Sequence, residues 1–223
     1  VQAPRFQVDP LWPKPLPDKW IMGSVIGVSV DSTDRIWMLH RPSSLSDNER
    51  AAVLDPPLAA CCLPAPPILV FDLEGNLVDS WGGPGLGYEW PQSEHGLYVD
   101  DKDNIWIGGN GANDHQIVKF SNGGEFLLQI GRSGMSNGSN DTQNLKQPTT
   151  MTVDPVANEV YVADGYGNRR VIVFDADTGE YRRHWGAYGN RPDDSDAYNA
   201  SGATVGPDYD PDKPPSQQFS RAV

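Results

Sequence analysis

The sequence predicts an all-β fold of four-stranded antiparallel blades, a β-propeller, and three observations lead to it. First, one segment recurs: residues 27–39 read GVSVDSTDRIWML, residues 96–108 GLYVDDKDNIWIG, and residues 151–163 MTVDPVANEVYVA. Each copy joins an apolar alternating run to an Asp, a polar turn and a second run carrying an aromatic residue. Second, the following halves recur, as IVKFSNGGEFLLQIG at 117–131 and VIVFDADTGEYRRHWG at 171–186. Third, the register is kept: Asp100 to Phe120 and Asp154 to Phe174 are both 20 residues, and Asp31 to Phe71 is 40, one insertion longer. No segment carries an apolar stripe at helical spacing over three turns.

The elements follow in order. Residues 1–26 are rich in Pro and Trp and read as an extended N-terminal segment. The first blade spans 27–82 with an insertion at 42–67. Within it, Ser46 followed by Glu49 marks a brief capped helix, and the Pro-rich run 56–67 predicts no regular structure. The second blade, with a Gly- and aromatic-rich connector, spans 83–131, with strands at 96–100, 104–107, 116–120 and 125–130. A polar loop precedes the third blade, which closes at 186, so this unit spans 132–186. Residues 187–223 read as an acidic loop and the start of a further blade, since the end of the chain resembles the lead-in at 146–149. Propellers close with about four to eight blades, so about three blades read as half of a six-bladed ring. The other blades are then expected from the same or another chain.

Composition narrows the function classes. With 23 Gly and 20 Pro in 223 residues, a loop-rich all-β domain is expected. No apolar run reaches roughly 18 residues, so no membrane span is expected. A net charge of −13 repels phosphate backbones and argues against a nucleic-acid partner. The first residues, VQAPRFQVDP, read as a mature end left by signal-peptide removal, which implies a secreted or periplasmic protein; a trimmed chain is the other reading. Cys61 and Cys62 are adjacent, and a bond between them, pairing outside the chain and two free thiols all stay open.

In a propeller the first strand of each blade lines a central channel, and loops at one end form the usual site. Equivalence between copies therefore selects positions that converge. Ten residues after the recurring Asp stand Arg41, Asn110 and Asp164; five before it, Ile26, His95 and Thr149; three before it, Val28, Leu97 and Met151. His95 either satisfies a rim hydrogen bond or binds a metal through one ring nitrogen. Arg41, on the same rim, suits a bidentate clamp on a carboxylate.

Residues 162–171, VADGYGNRRV, together with Phe174 and the Trp185-Gly186 pair, resemble an NHL-repeat signature. More narrowly they resemble the peptidyl-α-hydroxyglycine α-amidating lyase group, a six-bladed propeller family. The resemblance implies a catalytic tyrosine at Tyr166 and a catalytic arginine at Arg41, in the His40-Arg41 pair. It implies one of three zinc histidines at His95, in the HGL run, and a calcium ion held by main-chain oxygens of Val28 and Leu97. The run HQIVKF at 115–120 is similar to a family stretch as well. The implied activity is zinc-dependent C–N cleavage of an α-hydroxyglycine-type amide, small molecule or peptide, giving an amide and glyoxylate. Departures are equally definite. Gly167 stands where the family has a cysteine, and the other two zinc histidines and a second arginine would fall past Val223.

Other readings stay beside this one. Tyr166 also suits a packed rim aromatic, and a non-catalytic propeller serving as an extracellular binding or assembly module suits the same fold. In NHL repeats an Asp–Asn–Arg set ties the turns of a blade, which gives Asp164, Asn168 and Arg169 a structural role. The recurring Trp37, Trp81, Trp106 and Trp185 read as blade core. The acidic run 208–212 reads as a solvated loop, and the sequons at Asn137, Asn140 and Asn199 matter only in a eukaryotic secretory host.

Overall fold

Three four-stranded antiparallel sheets follow one another along the chain, each in the order of its sequence. They are seen in a computed structural model that describes residues 3–195 and 218–219. The sequon at Asn199, the acidic run 208–212 and residues 220–223 lie outside the described residues. The first sheet comprises β2 (Ser24–Val30), β3 (Ile36–Arg41), β5 (Ile68–Phe71) and β6 (Leu77–Trp81). The second comprises β7 (Glu94–Val99), β8 (Ile105–Gly109), β9 (Gln116–Phe120) and β10 (Phe126–Gly131). The third comprises β11 (Thr150–Asp154), β12 (Glu159–Asp164), β13 (Arg170–Asp175) and β14 (Tyr181–Trp185). Two short strands, β1 (Trp20–Ile21) and β4 (Leu63–Pro64), pair in parallel, so the Pro-rich part of the insertion holds a little regular structure. Ser46 and Glu49 bond as expected, Ser46 Oγ donating to Glu49 Oε2 over 2.7 Å, but the helix that follows is a single 3₁₀ turn, Ala51–Val53. Cys61 and Cys62 are joined by a disulfide.

Turn chemistry explains why the blades recur. Between the first two strands of each sheet, the left-handed position is taken by Asp34, Asp103 and Asn158, at φ of 62°, 58° and 55°. Between the last two it is taken by Gly75, Gly124 and Gly179. The recurring Asp folds its own turn. Asp31 accepts from Thr33 N and Arg35 N, and Asp100 from Lys102 N and Asn104 N. The same carboxylates accept from the buried indoles of Trp37 and Trp106, over 2.8 and 2.9 Å. Burial opposes charge on Asp31, yet the hydrogen bonds from Trp37, Thr33 and Arg35 outweigh it and hold the carboxyl below its ordinary range.

The third copy differs by one residue. Gly27 faces Leu39 and Gly96 faces Gly108, but the corresponding Thr150 faces Ala163, one place further on. Equivalence by spacing is therefore corrected: Asp164 stands where His40 and Gly109 stand, and the place of Arg41 and Asn110 falls to Gly165.

The first strands lie side by side, which sets the sheets about a common line. A Cβ on Gly27 of β2 would meet Leu97 Cβ of β7 at 2.7 Å, and Val99 N donates to Ser29 Oγ over 3.1 Å. Strand β7 in turn touches β11. One apolar core, including Trp37, Leu39, Leu97, Ile107 and Phe120, fills the space between the first two sheets. A second, including Trp106, Ile117, Met151, Val162 and Phe174, fills that between the second and third. The N-terminal segment does not stand free, because Trp12, Leu16, Trp20 and Met22 pack on Leu69 and Phe71 of the first sheet. Trp37 and Trp106 are wholly buried, whereas Trp81 and Trp185 lie half-buried on outer strands.

Candidate active site

Antiparallel pairing puts the start of each first strand beside the end of each second strand, on one rim. His95 is the second residue of β7, Thr149 precedes β11, Arg41 ends β3, Asn110 follows β8, and Tyr166 follows β12. The rim thus gathers residues separated by up to 125 positions.

His95 is its centre. Nδ1 lies 3.1 Å from the carbonyl oxygen of Thr149, which can only accept. The proton therefore sits on Nδ1 and Nε2 keeps its lone pair. Tyr166 Oη lies 3.2 Å from Nε2, so the phenol donates to the imidazole. The two rings meet edge to face, 5.2 Å apart and inclined by 75°. Tyr166 is 37% exposed.

Arg41 reaches the same peptide from the first sheet. Its Nε donates to the carbonyl of Glu94 over 3.1 Å, its Nη2 donates to that oxygen too, and Nη2 lies 3.3 Å from Asn110 Oδ1. Asn110 is held by Ser93 Oγ at 2.9 Å and by Gln147 Nε2, which donates to its carbonyl at 2.8 Å. Arg41 thus carries its charge on the rim against carbonyl and amide oxygens. The neighbouring His40 points the other way. It is fully buried, accepts from Gly23 N at Nδ1 over 3.1 Å and donates from Nε2 to Pro66 O over 2.9 Å. Burial pushes its proton affinity down, beyond what the backbone carbonyls at its edge restore.

The loop that carries Tyr166 is closely held. Gly167 N donates to Lys146 O over 3.1 Å, and a Cβ at 167 would run into the Lys146 side chain, within 2.8 Å of its Cδ. Under the loop, Asp164 is buried and accepts from Lys146 N, Asn168 Nδ2 and Arg170 Nε, each over 2.8 Å. The expected Asp–Asn–Arg set is present with one correction. Its arginine is Arg170, wholly buried, while Arg169 turns outward and reaches Asp193 O over 3.3 Å. Strand alternation decides between the neighbours.

One residue escaped the reading of the sequence. Glu94 sits beside His95, only 5% exposed, with Oε1 accepting from Trp90 Nε1 over 2.9 Å. Burial pushes its carboxyl above the ordinary range, against the pull of Trp90 and Arg41. An acidic residue at the start of β7, directly before His95, was the available signal. Val28 and Leu97 share a register against their second strands, facing Met38 and Ile107, on neighbouring β2 and β7. Their side chains differ, Val28 being 57% exposed and Leu97 9%.

With this rim assembled, similarity to known proteins becomes informative. The chain is 30% identical over 169 residues to peptidylglycine alpha-amidating monooxygenase of Rattus norvegicus, covering 74% of the chain and 16% of that protein. It is 33% identical over 120 residues to NHL repeat-containing protein 3 of Homo sapiens, covering 50% of the chain and 32% of that protein. The chain is a homologue of the amidating-lyase and NHL-repeat proteins. Peptidyl-alpha-hydroxyglycine alpha-amidating lyase 2 of Drosophila melanogaster is similar too, 32% identical over 110 residues, or 49% of the chain and 25% of that protein. The chain thus spans well under half the length of these relatives. No family profile matches it. The chain's own architecture is that of an NHL-type propeller in four-stranded blades.

Proposed function

We propose that this NHL-type chain belongs to a secreted or periplasmic lyase that cleaves the C–N bond of α-hydroxyglycine amides, releasing an amide and glyoxylate. The observation that carries the reading is the contact of Tyr166 with His95, 3.2 Å long, beside a rim arginine. The Cys61–Cys62 bond supports an oxidising compartment.

Zinc belongs to this proposal, and His95 fits it as one ligand, because Thr149 O fixes the proton on Nδ1 and leaves Nε2 a lone pair that would bind the ion in place of the Tyr166 hydrogen. Among the described residues no group of three His, Cys, Asp or Glu is placed to complete a site. When bound, such an ion would supply Lewis-acid polarisation of a substrate oxygen. Calcium is proposed on the carbonyls of Val28 and Leu97, supported by the adjacency of β2 and β7.

The chain's own residues do the following. Arg41 holds the substrate carboxylate at the rim. Tyr166, as its phenolate, takes the proton of the substrate hydroxyl. The freed electron pair forms the aldehyde C=O as the C–N bond breaks. The departing nitrogen takes up a proton and leaves as the amide, so one hydroxyl proton is exchanged for one N–H.

The test is glyoxylate release from an N-acyl-α-hydroxyglycine by the completed blade ring that contains this chain, with and without added zinc. Glyoxylate above the protein-free rate, lost in Tyr166→Phe, supports the lyase. None under either condition sinks it. The half-chain similarity to NHL repeat-containing protein 3 favours a second reading, a binding module that uses the propeller rim. Metal-independent capture of a partner with no glyoxylate formed is its expected outcome.

A further inference from the structure

Among the described residues of this acidic chain, Arg191 stands without a carboxylate partner in a cleft far out on the third sheet. The cleft lies between the 140–142 turn and the 189–191 segment, holds about 410 Å³ and is lined by Asn140, Thr142, His184, Gly189, Asn190 and Arg191. That volume falls within the roughly 300–1,000 Å³ of small-ligand sites. We propose that this cleft binds a small oxyanion, a carboxylate or phosphate group, on the guanidinium of Arg191.

The wall that carries the arginine is built. Arg191 Nε donates to Asn140 Oδ1 over 2.9 Å, and His184 Nε2 lies 3.3 Å from the same oxygen. Asn140 Nδ2 donates to Pro192 O over 2.9 Å, which fixes the amide's orientation. Tyr181 Oη lies 2.8 Å from His184 Nδ1. The phenol thus donates to Nδ1 and the imidazole donates from Nε2. His184 is neutral in this arrangement, with both nitrogens used. Burial lowers its proton affinity, and the guanidiniums of Arg170 and Arg191 lower it further. The positive charge of the cleft is therefore that of Arg191.

Among the described residues that charge is not spent elsewhere. Arg170, Arg182 and Arg183 are neutralised by Asp164, Asp175 and Glu159, over 2.8, 2.8 and 2.6 Å. Arg191 pairs with no carboxylate among the described residues and uses only Nε, leaving its two terminal amino groups for a ligand. Two parallel N–H donors on a planar fork match the two oxygens of a carboxylate or phosphate. The Thr142 hydroxyl supplies a further donor among the lining residues. The cleft lies at the outer strand β14, whereas the Tyr166–His95 rim lies on the inner strands.

Inorganic phosphate and acetate, titrated separately into the full chain at balanced ionic strength, test the proposal by shifts of the arginine side-chain NMR signals. At least one is expected to saturate, on the order of millimolar Kd for a single fork contact, and the two arms show which oxyanion is preferred. Arg191→Gln should weaken it about tenfold, with Arg132→Gln, an exposed arginine elsewhere, unchanged. If Arg191→Gln lowers the melting temperature, Thr142→Val, which leaves Asn140 untouched, should still weaken binding about threefold. Shifts that never saturate for either anion, or equal binding by the Arg191 and Thr142 variants, overturn it.

Discussion

Tyr166 and His95 show how much one backbone carbonyl decides. Thr149 O settles which imidazole nitrogen carries the proton, and so makes His95 the acceptor of the Tyr166 phenol. Spacing could bring His95 and Thr149 to equivalent places, but a carbonyl's direction has no sequence signal. Tyr166→Phe is expected to lower glyoxylate release by about 10²- to 10⁴-fold, the span of a lost general base. Its thermal melt should barely move, because the ring stays and a single rim hydrogen bond is removed; a collapse of the melt would make Tyr166 structural. At His40 the prediction concerns pH. Its folded ring holds a proton less well than the unfolded one, so stability is whole above about pH 6.5 and falls as pH drops through that value. His184, lowered for a related reason, adds to the same trend. Denaturant midpoints at about pH 7.5 and 5.5 should therefore differ, and His40→Gln should shrink the difference while lowering both.

Within one hairpin, the recurring Asp does two tasks in the first and second blades and one in the third. Asp31 and Asp100 fold their turns and accept a buried indole, whereas Asp154 accepts only Val156 N and Ala157 N. Removing the carboxylate of Asp100 leaves the Trp106 indole without its partner. Asp100→Ala should cost about 2–4 kcal/mol, and Asp154→Ala about 1 kcal/mol. Urea unfolding of the two variants checks the ranking, and equal losses would remove the indole from the explanation. The strands, their turns and the place of the insertion were legible because a period-2 pattern recurs at fixed spacing. The extra residue in the third hairpin was not, because counting from Asp154 assumes turns of equal length. Nor was the burial of Glu94, which follows the polar Gln92-Ser93 pair at the start of β7.

For the molecule as a whole, stability depends on ties between segments that are distant in sequence. Arg170 joins Asp164 to the carbonyls of Ser139, Asp141 and Asn144, and so fastens the third sheet to the loop before it. Lys119 donates to Ala176 O over 2.8 Å with its ammonium 5.0 Å above Trp106, linking the second and third sheets. Arg170→Ala strands the Asp164 carboxylate in the interior and should cost about 3–5 kcal/mol; Arg170→Lys should recover little, since one ammonium cannot serve four oxygens. Limited proteolysis should then cut the 132–147 loop first. Two adjacent arginines look alike in sequence, and only the facing of β13 tells which is the tie.

Gly167 carries a last consequence. The tyrosine-bearing loop is pressed so closely on Lys146 that no larger residue fits at 167, and no thiol stands there to staple it. Contact, the Gly167 N–Lys146 O bond and the Asn168–Asp164 bond set its position. A strong reductant will therefore open the Cys61–Cys62 bridge in the insertion and leave the tyrosine poised where it was.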